Sequence, residues 1–443
     1  MSGFYTDLYN RYLRMRAGMK GDRQYDVLDS LLKEQWLDRG EMEKLQIERL
    51  QKLFNHALEK SKFYRESLKN TVSNAQDIKS LSDLTGLPLL KRENLQESYG
   101  EILCAGREGV YEDASGGSTG NPVIFYHDKW YRTFSQAMES LSLSWMGVAK
   151  GDRTAVFWGA DRDFHELSIK EKLALKMERL RTLNSFDVSE ENLDRFLKEL
   201  QSFNPQYIFG YASSLHLAAK YINSTGKFTI RPKAVKSSAE MLYGHQRTEI
   251  EKAFGTKVFN FYGSREVNNL ASECSAHEGL HVSASGRIIE VLDKDGKVLP
   301  DGELGYLAVT DLTNFTFPFI RYMIGDMGIK RSEQCSCGRG YPLLEKLAGR
   351  SSDILTFGDK MVHGEYFTHL FYGQPGVRQF QVVQETATDL MIRIVPSGSH
   401  FDPDKVKMII GEKIGMDVVI KIEFADRIAP LKSGKYRFTI NKT

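Results

Sequence analysis

The sequence predicts an α/β fold, with a large N-terminal domain of β-sheets and helices followed by a small α+β domain. From about residue 100, buried-strand patterns such as "RTAVFWG" and "KVFNFYG" alternate with helical stretches such as "GHQRTEIEKAF". This alternation is typical of parallel strands joined by helices. After "LAGRSSD" the pattern changes to a compact tail, and 443 residues suffice for two domains. We therefore expect domains at residues 1–349 and 350–443.

The remaining elements follow from local patterns along the chain. Residues 26–70 place apolar residues at helical spacing among many charges, which predicts surface helices that cover a core. "PQYIFGY" and "RPKAVKSSA" predict further strands, and "SSLHLAAKYIN" predicts a helix. "DKDGKVLPDGE" predicts a hairpin in the strand-rich residues 286–330. In the tail, "VRQFQVVQE", "DLMIRIVP" and "VVIKIEFADRI" predict strands and "DPDKVKMIIGEKIG" predicts a helix.

Composition and charge exclude several classes of protein. The formal net charge is +2, from 60 basic and 58 acidic residues spread without long runs, so we expect neither nucleic acid nor a membrane as a partner. The first residues, "MSGFYTDLYNRYLRMR", have no apolar core of a signal peptide. Four cysteines are too few for a secreted disulfide scaffold of this length. We expect a cytoplasmic protein.

The stretch "DASGGSTGNP" combines three glycines with serine and threonine between two apolar segments. Glycine lets backbone N–H groups approach phosphate oxygens, and hydroxyl groups add further donors. The stretch lacks the lysine of a Walker loop and has Asn121 instead. It predicts a phosphate-binding loop, with an ordinary flexible connector as the alternative.

Three later stretches carry further candidate residues. "FNFYGSREV" would place Tyr262 and Glu266 at the carboxyl end of a strand, although a packed tyrosine and a solvated glutamate give the same pattern. In "TDLTNFTFPFIRYMIGDMG", Asp326 follows a glycine after a predicted strand, which suits a carboxylate that accepts hydrogen bonds from a ribose diol. Near the end, "APLKSGKYRF" puts Lys435 in a turn, where a lysine is usually exposed and without a role.

Taken in order, these stretches resemble the motifs of the adenylate-forming superfamily, which contains acyl-CoA synthetases, nonribosomal-peptide adenylation domains and firefly luciferase. Within it, the chain is most similar to the phenylacetate–CoA ligase and CapK-like branch, through "NHALEKSKFYRES", "FNPQYIFGYASSLHLAAKYI" and "VRQFQVVQE". The resemblance extends from about residue 45 to the end. It implies that ATP and a carboxylic acid give an acyl-adenylate and pyrophosphate, and that the acyl group then passes to a thiol or an amine.

The resemblance also implies a role for each matched residue. Lys435 and Glu266 would be catalytic, with Lys435 bridging the carboxylate and the α-phosphate and Glu266 holding Mg²⁺. Asp326 would bind the ribose with Arg350 nearby, and Asp353 would be the hinge about which a mobile tail rotates. The rest of the nucleotide site would be Ser115, Gly116, Gly117, Ser118, Thr119, Gly120, Ser238, Ala239, Glu240, Asn260, Tyr262, Gly263 and Ser264. The acid pocket, shared with Asn260, would be Trp158, Gly159, Tyr211, Ala212 and Ser237, which indicates an aromatic or small acid.

Two departures from the family pattern leave the acceptor open. Asn121 stands where many relatives have lysine, and "ILTFGDKMVHGEYF" after the hinge differs from the phenylacetate–CoA ligases and favours the CapK-like group. The expected function is an AMP-forming ligase with ATP and Mg²⁺ as cofactors, a small carboxylic acid as substrate and CoA as acceptor. The alternatives are a biosynthetic ligase whose acceptor is an amine, a hydroxyl or a carrier protein, and a non-catalytic nucleotide-binding relative. A homodimer is left open.

Three of the four cysteines lie in two short stretches, "SECSAHEGLHV" and "EQCSCGRG". A Cys–x–Cys pair with a distant Cys/His cluster predicts a tetrahedral Zn²⁺ site rather than a disulfide in a cytoplasmic protein. The ligands would be Cys274, Cys335 and Cys337 with one histidine. Likeness to some relatives of the phenylacetate ligase branch favours His281, with His277 as the alternative. Four protein ligands leave no open position, so the ion would be structural. The alternative is three reduced cysteines and two surface histidines.

Overall fold

The computed structural model describes residues 2–69, 71, 74–104, 109–115, 123–158, 176–184, 190–350, 354–358, 360–371, 374–398, 401–415, 417–429 and 437–443. The chain divides into two compact units. The first comprises Met1–Ile324 and Gly328–Leu347, and the second Gly325–Met327 and Ala348–Thr443. Among the described residues, no helix combines the length and apolar character that crossing a membrane requires.

Nine α-helices are described in the first unit. They are α1 Ser2–Met19, α2 Gln24–Glu34, α3 Arg39–Lys60, α4 Lys62–Leu68, α5 Arg92–Ile102, α6 Lys129–Trp145, α7 Glu190–Phe203, α8 Ala212–Thr225 and α9 Gly244–Phe254. Helix α3 begins at a capping box, in which Asp38 accepts from the Glu41 amide and the Glu41 side chain accepts from the Asp38 amide. Its inner face buries Leu50, Leu53 and Phe54 completely, so the predicted helices of residues 26–70 are confirmed.

The strands of the first unit form one hairpin and one large sheet. They are β1 Tyr111–Ala114, β2 Ile124–His127, β3 Thr154–Trp158, β4 Leu180–Asn184, β5 Tyr207–Tyr211, β6 Ala234–Ser238, β7 Val258–Tyr262, β8 Ala271–Glu273, β9 Leu280–Val282, β10 Arg287–Leu292, β11 Leu304–Asp311, β12 Tyr322–Arg331 and β13 Leu343–Arg350. The hairpin is β1–β2, and the sheet has the order β10-β11-β12-β13-β9-β8-β7-β6-β5-β3-β4. The first unit is therefore built on a single eleven-stranded sheet.

One half of this sheet is parallel, as the alternating pattern predicts. Strands β4, β3, β5, β6 and β7 pair in parallel. Helices α7, α8 and α9 cover one face, where Leu197, Leu215 and Phe254 pack on Ile208 and Val235. All these side chains are buried, so the helices that cover this face explain the apolar residues of the strands that point toward it. The carboxyl ends of the parallel strands meet at one edge, where ligands bind in such sheets.

The other half of the sheet is joined through antiparallel pairs. Strands β7, β8 and β9 pair antiparallel in succession, and β9 pairs with β13. Strands β10 and β11 form the predicted hairpin, with Leu292 opposite Tyr306 at the end where the loop joins the two strands. The predicted fold class is confirmed for this unit.

The second unit is a small α+β unit. It contains β14 Ile354–Phe357, β15 Lys360–His363, α10 Gly364–Phe371, β16 Val377–Gln384, β17 Asp389–Pro396, α11 Pro403–Ile414, β18 Val419–Phe424 and β19 Thr439–Asn441. The sheet order is β18-β17-β16-β19, and β14–β15 is a separate hairpin. Phe367, Leu390 and Ile410 belong to its core. The three strands and the helix predicted for the tail are confirmed, whereas β14, β15 and α10 were not predicted.

One local expectation is wrong. Asp326 was expected after the end of a strand, but it lies inside β12. Gly325 has φ +83°, which bends the strand without ending it, because glycine adopts this conformation without steric cost. The glycine is therefore a kink within β12.

Candidate active site and metal centre

The glycine-rich loop is closed at its base by hydrogen bonds between its two ends. The Ser115 amide donates to the Val123 carbonyl (2.9 Å), and the Val123 amide donates to Ser115 Oγ (3.1 Å). These bonds extend the β1–β2 pairing, in which Ala114 lies opposite Ile124. Of the predicted phosphate-binding residues, only Ser115 is described; Gly116, Gly117, Ser118, Thr119 and Gly120 lie outside the described residues, as does Asn121. The loop is thus fixed where it leaves the hairpin.

Two arginines that sequence reasoning missed lie at the base of this loop. Arg92 of α5 donates from Nη2 to Ser115 Oγ (3.3 Å). Arg265 donates from Nη1 to the Ala114 carbonyl (3.1 Å) and lies 3.8 Å from the Asp113 carboxylate. Both guanidinium groups therefore lie where the predicted phosphate loop begins. A signal for Arg265 was its place inside the stretch "YGSRE", beside the predicted Mg²⁺ ligand.

The turn after β7 places Tyr262 and Glu266 together at the carboxyl end of that strand. The Ser264 amide donates to the Val267 carbonyl, and the Val267 amide donates to Ser264 Oγ (both 3.0 Å). Glu266 is largely buried, with 7% of its surface exposed. A carboxylate at the end of a strand is suited to a metal ion, because Mg²⁺ is usually bound by one or two carboxylates together with the phosphates of a substrate.

The glycine hairpin and the turn that carries Glu266 are bonded to each other. Nε2–H of His127, the last residue of β2, donates to the Glu266 carbonyl (3.1 Å). Burial lowers the pKa of His127, so the ring is neutral near pH 7. The ring stacks on Tyr131 with centroids 3.9 Å apart, which fixes its orientation. Together with the bond from Arg265 to Ala114, this contact joins two motifs that lie about 140 residues apart in the sequence.

The described residues of the predicted acid pocket lie at the carboxyl edge of the parallel sheet. Trp158 ends β3 and Tyr211 ends β5, and their ring centroids are 4.2 Å apart. Ser237 of β6 lies in register with Asn260 of β7. Ser237 is fully buried, and its Oγ finds no hydrogen-bond partner among the described residues. Ala212 begins α8, while Gly159 lies outside the described residues. The rings of Trp158 and Tyr211 therefore form an aromatic wall on one face of the sheet, whereas Ser237, which lies in register with Gly210, is buried on the other face.

The stretch Ser238–Ala239–Glu240 follows β6 at the same edge. Ala239 has φ +67°, an uncommon conformation for a residue with a Cβ atom that is often found at functional sites. Glu240 Oε2 accepts a hydrogen bond from the Ser213 amide (2.8 Å). The Glu240 carboxylate thus satisfies an N–H group in the first turn of α8.

In the second unit, the structure brings Asp326 and Arg350 together. Arg350 Nε lies 3.0 Å from Asp326 Oδ1. The Asp326 side chain is 12% exposed and the Arg350 side chain is 51% exposed. The ion pair therefore fixes the direction of a carboxylate that solvent still reaches. Asp353 and Lys435 lie outside the described residues, and their roles stay predictions.

The four residues predicted to hold zinc converge. Cys274 follows β8, His281 lies in β9, and Cys335 and Cys337 lie between β12 and β13. Their ligand atoms lie within 4.8 Å of one another. Cys274 Sγ is 3.7 Å from Cys335 Sγ, and Cys337 Sγ is 3.3 Å from His281 Nε2. Two thiolates on one tetrahedral Zn²⁺, at Zn–S distances of about 2.3 Å, would be about 3.8 Å apart. The donor set and its spacing therefore fit zinc.

Groups around the cluster favour the metal-binding forms of two ligands, His281 and Cys337. His281 Nδ1–H donates to the Tyr341 carbonyl (3.2 Å), which leaves the Nε2 lone pair for a metal. Burial lowers the pKa of His281 to about 4, so the imidazole is neutral. Burial opposes ionisation of Cys337, but donors from Arg339 bring the pKa of this thiol below its ordinary value. Arg339 itself lies over Trp36 and Trp145, each with its guanidinium carbon 5.0 Å from the ring centroid.

His277, the alternative ligand, lies outside this cluster. Its Nδ1 is 3.2 Å from Glu273 Oε2. The same carboxylate group accepts from Arg247 (2.7 Å) and from the Asn260 amide (2.8 Å). His277 therefore belongs to a polar network beside β7, and His281 is the histidine that faces the three cysteines.

The comparisons with known proteins agree with this architecture. Residues 354–442 match the CapK C-terminal domain. The chain is 24% identical to Protein CapK of Staphylococcus aureus, over 90% of this chain and 88% of that protein. It is 27% identical to phenylacetate-coenzyme A ligase of Thermus thermophilus, over 72% of each chain. The fold matches 2-hydroxyisobutyryl-CoA ligase in complex with 2-HIB-AMP, with a TM-score of 0.73 and 20% identity over 93% of this chain and 91% of that one. The predicted resemblance to the phenylacetate–CoA ligase and CapK-like branch of the adenylate-forming superfamily is confirmed, because the chain is similar in sequence to both kinds of protein and similar in fold to an acyl-CoA ligase.

Proposed function

We propose that this protein is an AMP-forming ligase, which activates a carboxylic acid with ATP and transfers the acyl group to CoA. One observation carries the proposal. The glycine hairpin and the turn that presents Glu266 are bonded directly to each other, through His127 to the Glu266 carbonyl and through Arg265 to the Ala114 carbonyl. A phosphate loop and a metal-binding carboxylate have to lie side by side for ATP chemistry. These two motifs are about 140 residues apart in the sequence, so the fold brings them together. The phenylacetate-coenzyme A ligases among the relatives support the same reaction.

In the first half-reaction, a carboxylate oxygen of the acid attacks the α-phosphorus of ATP and the bond to pyrophosphate breaks. The amides and hydroxyls of the glycine loop bind the β- and γ-phosphates, with Arg92 and Arg265 adding positive charge at its base. Glu266 would hold Mg²⁺, which would supply positive charge beside the phosphates. Asp326 accepts hydrogen bonds from the ribose, held in place by Arg350.

The roles of Lys435 and Asp353 belong to the same proposal. Lys435 places its ammonium group between the acid and the α-phosphate during adenylation. Rotation of residues 350–443 about Asp353 then withdraws it, and residues 1–349 keep the acyl-adenylate for the second half-reaction. In that step the acceptor thiol loses its proton, attacks the acyl carbon and releases AMP.

The pocket favours a flat or small acid. The paired rings of Trp158 and Tyr211 provide a flat apolar wall at the carboxyl edge of the sheet. We infer an aromatic or small acid as substrate, in a cytoplasmic enzyme.

A second acceptor class has a specific observation in its favour. The second unit matches the CapK C-terminal domain over residues 354–442. A biosynthetic acceptor, such as an amine, a hydroxyl or a carrier-protein thiol, is therefore the alternative to CoA.

The Cys/His cluster is proposed to hold one structural Zn²⁺. Cys274, Cys335, Cys337 and His281 would complete a tetrahedron and leave no open position for substrate. The ion would tie β8 and β9 to the segment that leads into β13, and would take no part in adenylation.

Acid-dependent pyrophosphate exchange tests the proposed function. The full chain is incubated with ATP, Mg²⁺, labelled pyrophosphate and a panel of aromatic and small carboxylic acids. At least one acid should bring label into ATP, and CoA should then convert the bound adenylate to a thioester. If none of the acids supports exchange in a protein that still binds ATP, the result would favour the non-catalytic alternative. Exchange without thioester formation would favour the other acceptors.

A further inference from the structure

Helix α1 attaches to the first unit through polar atoms. Its bonds are those from Tyr5 OH to the Met177 carbonyl (2.7 Å), from Thr6 Oγ1 to Asp152 Oδ1 (3.0 Å), from Asn10 Nδ2 to the Lys150 carbonyl (2.7 Å) and from Arg14 Nη2 to Asp29 Oδ1 (3.0 Å). Thr6 is the one buried residue of α1 among those described, and Tyr9 and Leu13 on the same side are half-buried. The side of the helix that faces the protein therefore combines these polar bonds with partly buried apolar side chains.

The opposite side of α1 carries a stripe of large apolar side chains. Phe4 is 78% exposed, Leu8 57%, Tyr12 39%, Met15 60% and Met19 81%. Their spacing of three and four residues puts them on one face of the helix. An amphipathic surface helix normally turns its apolar stripe toward the core. Here this second apolar stripe stays exposed, and it extends along the whole of the helix.

Basic side chains border this stripe. At 100° per residue, Arg11 lies beside one edge of the stripe and Arg16 beside the other, and both are exposed. Lys20 follows at the end of the helix, and Asp7 is the single acidic residue in α1. The net charge of +2 for the whole chain conceals this local excess of positive charge.

We propose that the outer face of α1 is a docking surface for an anionic lipid bilayer. A helix with Phe, Leu and Met on one face and arginines along its borders lies in the plane of a membrane interface, with its apolar side chains below the headgroups. Arg11 and Arg16 would then lie at the level of the anionic headgroups, which attract basic residues near the surface. The polar bonds of α1 to the protein stay intact in this arrangement.

A second copy of the chain fits the stripe less well. Pairing two α1 stripes would bring the arginines that border one helix close to those of the other, and like charges along such a seam are unfavourable. One helix of 18 residues also covers less than the roughly 800 Å² per partner of a stable interface. A bilayer carries the opposite charge and imposes no such limit on area.

Vesicle sedimentation tests the proposal with the full chain. Binding should be clear for vesicles of phosphatidylcholine with phosphatidylglycerol, weak for phosphatidylcholine alone, and reduced by salt. The Leu8→Gln, Met15→Gln double variant should lower the bound fraction by about 10-fold or more, because two apolar side chains no longer enter the interface. A matched control, Leu304→Gln with Met408→Gln, removes two apolar side chains of 45% and 53% exposure elsewhere and should bind normally.

A second double variant tests whether the basic side chains are required for binding to anionic vesicles. Arg11→Gln with Arg16→Gln should remove the preference for anionic vesicles and leave thermal stability and adenylation in solution unchanged. Absence of binding to anionic vesicles, or binding that the Leu8→Gln, Met15→Gln variant retains, would overturn the proposal. Sedimentation velocity without lipid tests the other occupant. If the protein is a dimer and the Leu8→Gln, Met15→Gln variant is a monomer, the stripe would be assigned to a second copy of the chain instead.

Discussion

Replacing Arg265 with alanine removes a positive charge from the base of the predicted phosphate loop and also removes its bond to the Ala114 carbonyl. The glycine loop has no lysine of its own, since Asn121 occupies that place. If Arg265 supplies the missing charge, the variant should bind ATP more weakly, while the adenylation chemistry of bound ATP should change much less.

The size of the effect follows from the position of the side chain. A unit charge about 6 Å from a phosphate charge contributes about 2.8 kcal/mol at an effective dielectric constant of about 20, and about 0.7 kcal/mol in water. The Arg265 side chain is 40% exposed, which places it between these limits. We therefore expect a loss of about 1–2 kcal/mol, or about 5- to 30-fold weaker ATP binding.

The assay is pyrophosphate exchange with the best acid, at a series of ATP concentrations. The KM for ATP should rise and kcat should stay within about threefold, as for a group that binds ground state and transition state equally. Arg265→Ala with Asn121→Lys should recover part of the affinity, since the lysine returns a charge to the loop. Arg393→Ala is the matched control, because its side chain is 42% exposed and pairs with Glu423 in the second unit. An unchanged KM in Arg265→Ala, or an equal rise in Arg393→Ala, would refute the reasoning.

Three further predictions concern other parts of the protein. Lys435→Ala should slow adenylation by about 100-fold or more and spare transfer from a pre-formed acyl-adenylate, which rapid-quench measurement of the two half-reactions would show; equal loss in both would contradict a lysine that is withdrawn. Cys335→Ser with Cys337→Ser should remove about one zinc per chain by metal analysis and lower Tm by about 5 °C or more, with residual adenylation; full zinc content in this variant would place the ion elsewhere. Arg321→Met leaves the buried Glu290 carboxylate without its partner and should cost about 3–5 kcal/mol in urea unfolding. Burial already raises the pKa of Glu290, so this loss should be largest near pH 8 and shrink near pH 5 as the carboxyl becomes protonated; a loss independent of pH would contradict the assignment.

The sequence predicted β3, β5, β6 and β7 of the parallel half of the sheet, because each carries buried apolar residues and most alternate with a helix; it did not predict β4, whose stretch "LRTLN" is more polar. Helix α9 matches the predicted stretch "GHQRTEIEKAF" from end to end, since Gly255 at φ +64° ends it as glycine commonly does. The convergence of the Cys/His cluster was also predicted, because a Cys–x–Cys pair with a distant Cys/His stretch is typical of zinc ligands.

Features that depend on distant contacts were not predictable in this way. Arg92 looked like an ordinary helical charge, and its bond to Ser115 follows only from the packing of α5 beside the β1–β2 hairpin. The same holds for His127, whose partner lies 139 residues later. Asp326 was misplaced because a glycine at positive φ is as compatible with a kink inside a strand as with its end.

The most direct test of the central claim follows the oxygen atoms of the acid. The preferred acid is labelled with ¹⁸O in its carboxylate and incubated with the full chain, ATP, Mg²⁺ and CoA. Attack of the carboxylate on the α-phosphorus, followed by cleavage of the acyl carbon–oxygen bond, leaves one labelled oxygen on AMP, so mass spectrometry should find AMP with a single ¹⁸O for each thioester formed. Label in orthophosphate with ADP as the other product, or thioester formation with unlabelled AMP, would contradict an acyl-adenylate intermediate.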